Sequence, residues 1–314
     1  MNKQTLFTAT NVYKANLHCH TTVSDGKCTP QQIKDMYKAN GYSIVAFTDH
    51  NTLVNHSTLN DENFLAINSL EVGVTEEIPN ESFTKCKCYH LNLFSTDPNI
   101  TETPPTMRGM NYHNTDAINE YIKARVDEGF LVSYNHPYWS MQTYDDYSKL
   151  KGCFAMEIFN NGCEVTDGYY GYNPQVYDEM LRASGKVGNL FCLSTDDNHN
   201  NPVHAVSDSF GGFVMIESPS LNYSNIMNAL KSGNFYSSQG PEIYEISIED
   251  SNLHVKCSEV KTIVVYTDGR TCHLKQGDSL TEAVFTLNGN EKYIRVMCRD
   301  ANHNDANSNA YWFD

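Results

Sequence analysis

Positive charge is scarce in this chain. Its 22 lysines and arginines face 38 aspartates and glutamates, for a net charge of -16. No basic run exceeds an isolated residue, which excludes a nucleic-acid polymer as partner, because phosphate backbones are bound by clustered Lys and Arg. Long apolar runs are missing too. Nothing approaches the roughly 20 residues of a membrane span, and the opening Met1–Phe7 has no apolar leader segment. These absences set the expectation of a cytoplasmic protein with no membrane partner. Cysteine is present but unpatterned: ten residues are scattered along the chain, several inside apolar strands. They read as free thiols rather than a disulfide framework. Cys86-Lys87-Cys88 is spaced more tightly than a zinc knuckle, and the Asp- and Asn-rich tail shows no EF-hand spacing. Repeats and low-complexity linkers are absent. With 314 residues, 40% hydrophobic and 19% charged, the chain is an ordinary globular protein of one large domain, or one large and one small.

The first two-thirds alternates in period. Strand-like runs lie near 15–20, 43–49, 65–72, 88–95, 131–135, 154–159, 189–195 and 210–217. Helix-like stretches start at Thr29-Pro30, span about 115–128 before Gly129 and 174–184 before Gly185, and end at Gly233. Such β/α alternation predicts a barrel-like parallel sheet. After Gly240-Pro241 the pattern becomes strictly alternating, as in Glu242–Ile248 and Tyr293–Met297. That predicts a small antiparallel β-sandwich over 241–314, following a barrel over 1–240.

Chemistry-bearing residues gather where the apolar runs end. His18 and His20 close the first strand, and alternation along a strand sends both imidazoles to one face. Asp25 follows, then Thr48-Asp49-His50, Glu71, His90, Asn135-His136 and Asp197-Asn198-His199. A barrel brings such ends to one rim, the usual place for its active site. So many imidazole and carboxylate donors on one rim predict a polynuclear metal centre.

Taken together and in this order, the motifs resemble the PHP (polymerase and histidinol phosphatase) superfamily. The segment Asn16–Gly26 with Thr29-Pro30 matches that family's opening motif. Ser232–Pro241 and the β-rich tail resemble its carbamate-hydrolase-like (CehA/McbA-like) branch. The resemblance implies an α/β fold with a distorted (β/α)7-type barrel and two or three divalent ions of Zn, Mn or Fe. His18, His20, Glu71 and Asp197 would hold the first ion; Glu71, His90 and His136 the second; Asp25, His50 and His199 the third. Asp197 is preferred to the adjacent Asp196 because it fits the D-x-H spacing. Asp49, Glu157 and Asp196 would stand behind the ligands.

The chemistry expected is hydrolysis by a hydroxide that the ions activate, with Glu71, Asp197 and His199 as the catalytic set. The substrate expected is a small phosphorylated molecule. Arg108, Tyr138 and Ser238 are the candidate substrate contacts, and Tyr138-Trp139, just past a ligand, could form a substrate wall. One rival keeps the ions but cleaves a carbamate, amide or carboxylic ester. Another is a non-catalytic binding module stabilised by metal.

Overall fold

The computed structural model describes residues 3–185 and 190–313. Strands β1 (Lys3–Thr8) and β2 (Val12–Asn16) precede helix α1 (Pro30–Ala39), β3 (Ile44–Phe47), β4 (Leu65–Thr75) and β5 (Cys88–Ser95). Then come α2 (Thr115–Asp127), β6 (Phe130–Tyr134), α3 (Tyr144–Tyr147), β7 (Ala155–Asn160), α4 (Asn161–Thr166) and α5 (Pro174–Ser184). Strands β8 (Phe191–Thr195) and β9 (Phe213–Glu217), helix α6 (Tyr223–Ser232) and β10 (Phe235–Ser238) complete this part. Residue 189 of the strand expected at 189–195 lies outside the described residues. The tail contains β11 (Ile243–Glu249), β12 (Asn252–Thr267), β13 (His273–Thr286), β14 (Tyr293–Arg299), β15 (Asp305–Ser308) and β16 (Tyr311–Trp312).

Local chemistry accounts for the helix ends. Thr29 and Gln32 form a reciprocal capping box, with Pro30 in the first turn. Ile33 and Tyr37, one helical turn apart, bury the inner face of α1. Asn222 caps α6, and Gly233 ends it in the left-handed region at φ +72°.

Hydrogen-bonded neighbours run β9–β2–β3–β4–β5–β6–β7–β8. The β2·β3, β3·β4, β6·β7 and β7·β8 pairs are parallel. The expectation of a parallel sheet fails at β5, which is antiparallel to both neighbours, and at β9, antiparallel to β2. No crossover helix separates β4 from β5 among the described residues, only a loop with one 3-10 turn. A connection without a crossover favours an antiparallel return.

Among the described residues, no backbone ladder closes the sheet. At the seam between β8 and β10, the Ser237 hydroxyl accepts from Ser194 N at 3.0 Å and donates to Cys192 O at 2.6 Å. The tail strands pair antiparallel, but they continue the same sheet rather than forming a separate one. β10 pairs with β9 on one edge and β15 on the other, and the order runs on through β14, β12 and β11 to β1. The sheet therefore crosses the 240/241 boundary without a break. Strand β13 leaves as a long hairpin with β12, and β16 adds to β14. A buried bidentate pair, Arg295 with Asp178, ties β14 to α5 at 2.6 and 2.7 Å. All ten cysteines are free, and no described helix is long and apolar enough to cross a membrane.

Candidate metal centre

His18 and His20 follow β2 and are fully buried. Their Nε2 atoms lie 3.2 Å apart, and each is 3.1 Å from Asp197 Oδ1. Glu71 Oε2 is 3.4 Å from the first and 3.3 Å from the second. Asp197 Oδ1 and His20 Nδ1 are nevertheless buried without a hydrogen-bond partner. Orphaned polar atoms in a native site call for an explanation. A cation supplies it, since donors bound at about 2.0–2.2 Å from one ion stand roughly this far apart. The donor set fits Zn, Mn or Fe(II) and does not choose among them.

Glu71 divides its two oxygens between two groups. Oε2 faces the first set and Oε1 the second, 3.0 Å from His90 Nδ1 and 3.4 Å from His136 Nε2. Asn135 donates to the same Oε1 at 2.9 Å. His90 sits near the start of β5 rather than at its end. Because β5 runs backwards, its start lies on the rim where parallel strands end. Gly73 stands opposite His90 in the ladder, and a methyl group there would come within 2.7 Å of the His90 ring.

A third group joins Asp25, His50 and His199, and His20 belongs to it as well. Asp25 Oδ2 is 3.5 Å from His199 Nε2 and 3.6 Å from His50 Nε2, and Asp25 Oδ1 is 3.7 Å from His20 Nδ1. Two residues of the centre take left-handed backbone, His136 at φ +26° and Asp197 at φ +50°. Such conformations cluster where surrounding structure over-determines them.

The expected supporting residues all make hydrogen bonds around the centre. Glu157 Oε1 accepts from His18 Nδ1 at 2.6 Å and Thr195 Oγ1 at 2.7 Å, and Oε2 accepts from His136 N and Asn160 Nδ2, both at 2.9 Å. Asp49 accepts from the amides and hydroxyls of Thr21 and Ser24, fixing the turn that presents Asp25. Asp196 turns away from the cleft and accepts from Tyr37 OH and the amides of Phe210, Gly211 and Gly212.

Burial disfavours a charged His18, but the carboxylates of Asp197, Glu157 and Glu71 outweigh it and hold its pKa well above the ordinary value. His20 is pushed up to about 9 against burial by Asp197 and Glu71. Glu71 is held well below the usual carboxylate range because His90, His18 and His50 outweigh its burial. Without ions, protons on His18 and His20 face the carboxylates of Glu71 and Asp197. Divalent cations can take the place of those protons.

The cleft over these groups encloses about 750 Å³. The three substrate contacts expected from sequence do not line it. Arg108 is exposed on a neighbouring cavity of about 460 Å³. Tyr138 points to solvent and packs edge-on against Tyr170. Ser238 is fully buried, donating to Pro241 O and accepting from Gly240 N. Trp139, beside Tyr138, lines the cleft instead and meets the His136 ring edge-on at 5.0 Å. Asn135 and Asn160 stand in the Asn-His-Pro and Glu-x-x-Asn stretches of the sequence, whereas nothing in the sequence marks Ser140, 3.1 Å from His136 Nδ1.

Among curated proteins nothing matches this chain. Over 99% of its length it is similar to a Bacteroides vulgatus two-domain protein containing a predicted PHP-like metal-dependent phosphoesterase, at 14% identity, TM-score 0.49 and 97% coverage of that chain. Over 70% of its length it is similar to an amidohydrolase from Chromobacterium violaceum with bound sulfate, at 12% identity, TM-score 0.38 and 96% coverage of that chain. With TM-scores below one half, neither likeness says what this chain does. The model of the PHP domain family matches residues 16–198, well over half of the chain, and the protein belongs to that family.

Proposed function

We propose that this protein is a cytoplasmic, metal-dependent phosphoesterase that hydrolyses a small-molecule phosphate ester. The observation that carries this reading is the split carboxylate of Glu71, whose two oxygens face separate donor groups 3.0–3.4 Å away. His18, His20, Asp197 and Glu71 Oε2 would hold one ion, and Glu71 Oε1, His90 and His136 a second. Asp25, His50 and His199 would hold a third. Divalent ions held there supply a water of lowered pKa and the positive charge that polarises a phosphorus–oxygen bond. Glu157 fixes the His18 tautomer by accepting from Nδ1, so Nε2 is left free to ligate. Asn160, donating to Asp197 Oδ2 at 3.0 Å, leaves Oδ1 for the centre. His199 donates through Nδ1 to Asp197 O at 3.0 Å and turns Nε2 toward Asp25, 3.5 Å away. When not ligating, it can hold a proton there for the leaving group.

The Ser232–Pro241 motif supports the carbamate-hydrolase-like branch, with a barrel-like part over 1–240 and a β-rich tail over 241–314 that extends its sheet. One observation favours a second reading, hydrolysis of a carbamate, amide or carboxylic ester. Lys27 is the one lysine or arginine lining the cleft among the described residues, and phosphates are commonly clamped by arginine.

Phosphate release from a panel of monoesters and diesters, with Mn- or Zn-loaded protein beside Asp197→Asn at matched folding, tests the proposal. Metal-dependent release that the variant loses supports it. No release from protein shown to hold its ions sinks it and leaves the second reading.

A further inference from the structure

Large apolar side chains exposed to solvent crowd the ligand end of this protein. Phe83 is 75% exposed, Tyr170 44% and Met141 42%, and all three line the cleft together with Trp139. They come from three separate loops: Phe83 from β4–β5, Trp139 and Met141 from β6–α3, and Tyr170 from α4–α5. Exposed apolar residues gathered on one concave surface mark a binding site more often than chance packing does. Met141 is also held at φ +55°, a costly conformation for a bulky residue and one that collects at ligand clamps. Tyr138 against Tyr170, edge-on at 4.9 Å, ties two of the loops together.

The position of this wall relates it to the chemistry. Trp139 meets the His136 ring at 5.0 Å and the His90 ring at 6.0 Å, so the wall begins at the second donor group. A cavity of about 750 Å³ exceeds what one phosphoryl group fills and is of the size that takes a whole small ligand. The charge of the lining narrows the rest of that ligand. Asp167 and Asp208 lie in the cleft outside the three donor groups, and Lys27, the single lysine there among the described residues, already donates to Asp25 O at 3.0 Å. A second phosphate on the substrate would meet carboxylates.

We infer that Phe83, Trp139, Met141 and Tyr170 form a leaving-group platform that selects esters whose alcohol carries an uncharged, planar aromatic ring. The inference rests on the phosphoesterase reading for the bond cleaved, but not for the platform. Ring faces and edges of Trp139 and Phe83 give such a group offset or edge-on contacts. The Met141 thioether gives a sulfur–aromatic contact.

Two probes with similar primary-alcohol leaving groups, 2-naphthylmethyl phosphate and n-propyl phosphate, separate ring recognition from intrinsic reactivity. The platform predicts a kcat/KM ratio favouring the naphthylmethyl ester by at least about tenfold, carried mostly in KM. Trp139→Ala brings the ratio close to one, and Trp139→Phe restores most of it. A readout without turnover is calorimetric binding of 2-naphthylmethyl phosphonate and n-propyl phosphonate to the metal-loaded protein. The ring-bearing phosphonate should bind about tenfold tighter, and Phe83→Ala and Tyr170→Ala should each narrow the gap. Equal turnover of both esters, or equal binding of both phosphonates, overturns the platform while leaving the phosphoesterase reading intact. Ring-selective binding with no ester turned over keeps the platform and defeats that reading.

Discussion

Glu157 Oε1 lies 2.6 Å from His18 Nδ1, and its other oxygen accepts the backbone amide of His136 at 2.9 Å. One fully buried carboxylate thus sets the ring of a donor in the first group and the backbone of a donor in the second. Glu157→Gln keeps the shape but removes the charge that fixes the His18 tautomer. Metal affinity should fall about 10–100-fold, read by competition with a chelator of known affinity. An unchanged affinity would place Glu157 outside the workings of the centre.

Gly73 makes room for His90. A methyl group at this position would approach the ring Cδ2 to 2.7 Å and Nε2 to 3.0 Å, closer than carbon contacts allow. Gly73→Ala should tilt the ring away from Glu71, remove one ion per chain by elemental analysis, and leave the circular dichroism spectrum intact. A fully loaded variant contradicts the role given to His90.

The raised imidazole pKa values give the metal-free protein a distinctive pH response. His20 is raised from 6.5 to about 9 in the fold, and His18, His90 and His199 shift the same way. Burial moves His50 the other way. A raised pKa stabilises the fold fully below the unfolded value, and that contribution is lost as pH rises through the folded value. Metal-free protein should therefore lose melting temperature between about pH 6.5 and 9. Ion binding, which displaces those protons, should strengthen over the same range. Melting curves with and without chelator check both signs, and parallel curves would show that protons and ions do not compete.

Arg295 has 1% of its side chain exposed and holds Asp178 through two bonds. Removing one member of such a pair strands a buried charge. Asp178→Ala should cost about 3–5 kcal/mol in urea unfolding and leave ion stoichiometry unchanged in the folded protein. A cost near zero would mean that the α5–β14 contact contributes little to stability.

Much of this architecture is legible in the chain because it is written locally. Thr29-Pro30 announces α1 through a capping box, and Gly233 ends α6 where a left-handed residue is required. His18 and His20 lie just past the end of β2, where Cys19 still bridges Asn198, and their rings meet on one side as alternation predicts. Strand direction is not local, so β5 reads as one more parallel strand, although its connections turn it round. Strand β1 carries mostly exposed residues and is held by pairing with β11, some 240 residues away, a partner that no window of sequence reveals. The same limit governs the cleft. Whether Tyr138 or Trp139 faces inward is decided by the turn after His136 at φ +26°, and Arg108 is carried to a neighbouring cavity by its loop.

The claim at the centre of this account is that one carboxylate, Glu71, is shared between two ion sites. Anomalous diffraction from crystals grown with Mn or Zn, collected on both sides of the metal's absorption edge, tests it directly. The account predicts at least two peaks in the cleft, one near His18, His20 and Asp197 and one near His90 and His136, each contacted by a different oxygen of Glu71. A single peak, or ions that leave Glu71 uncoordinated, would contradict it.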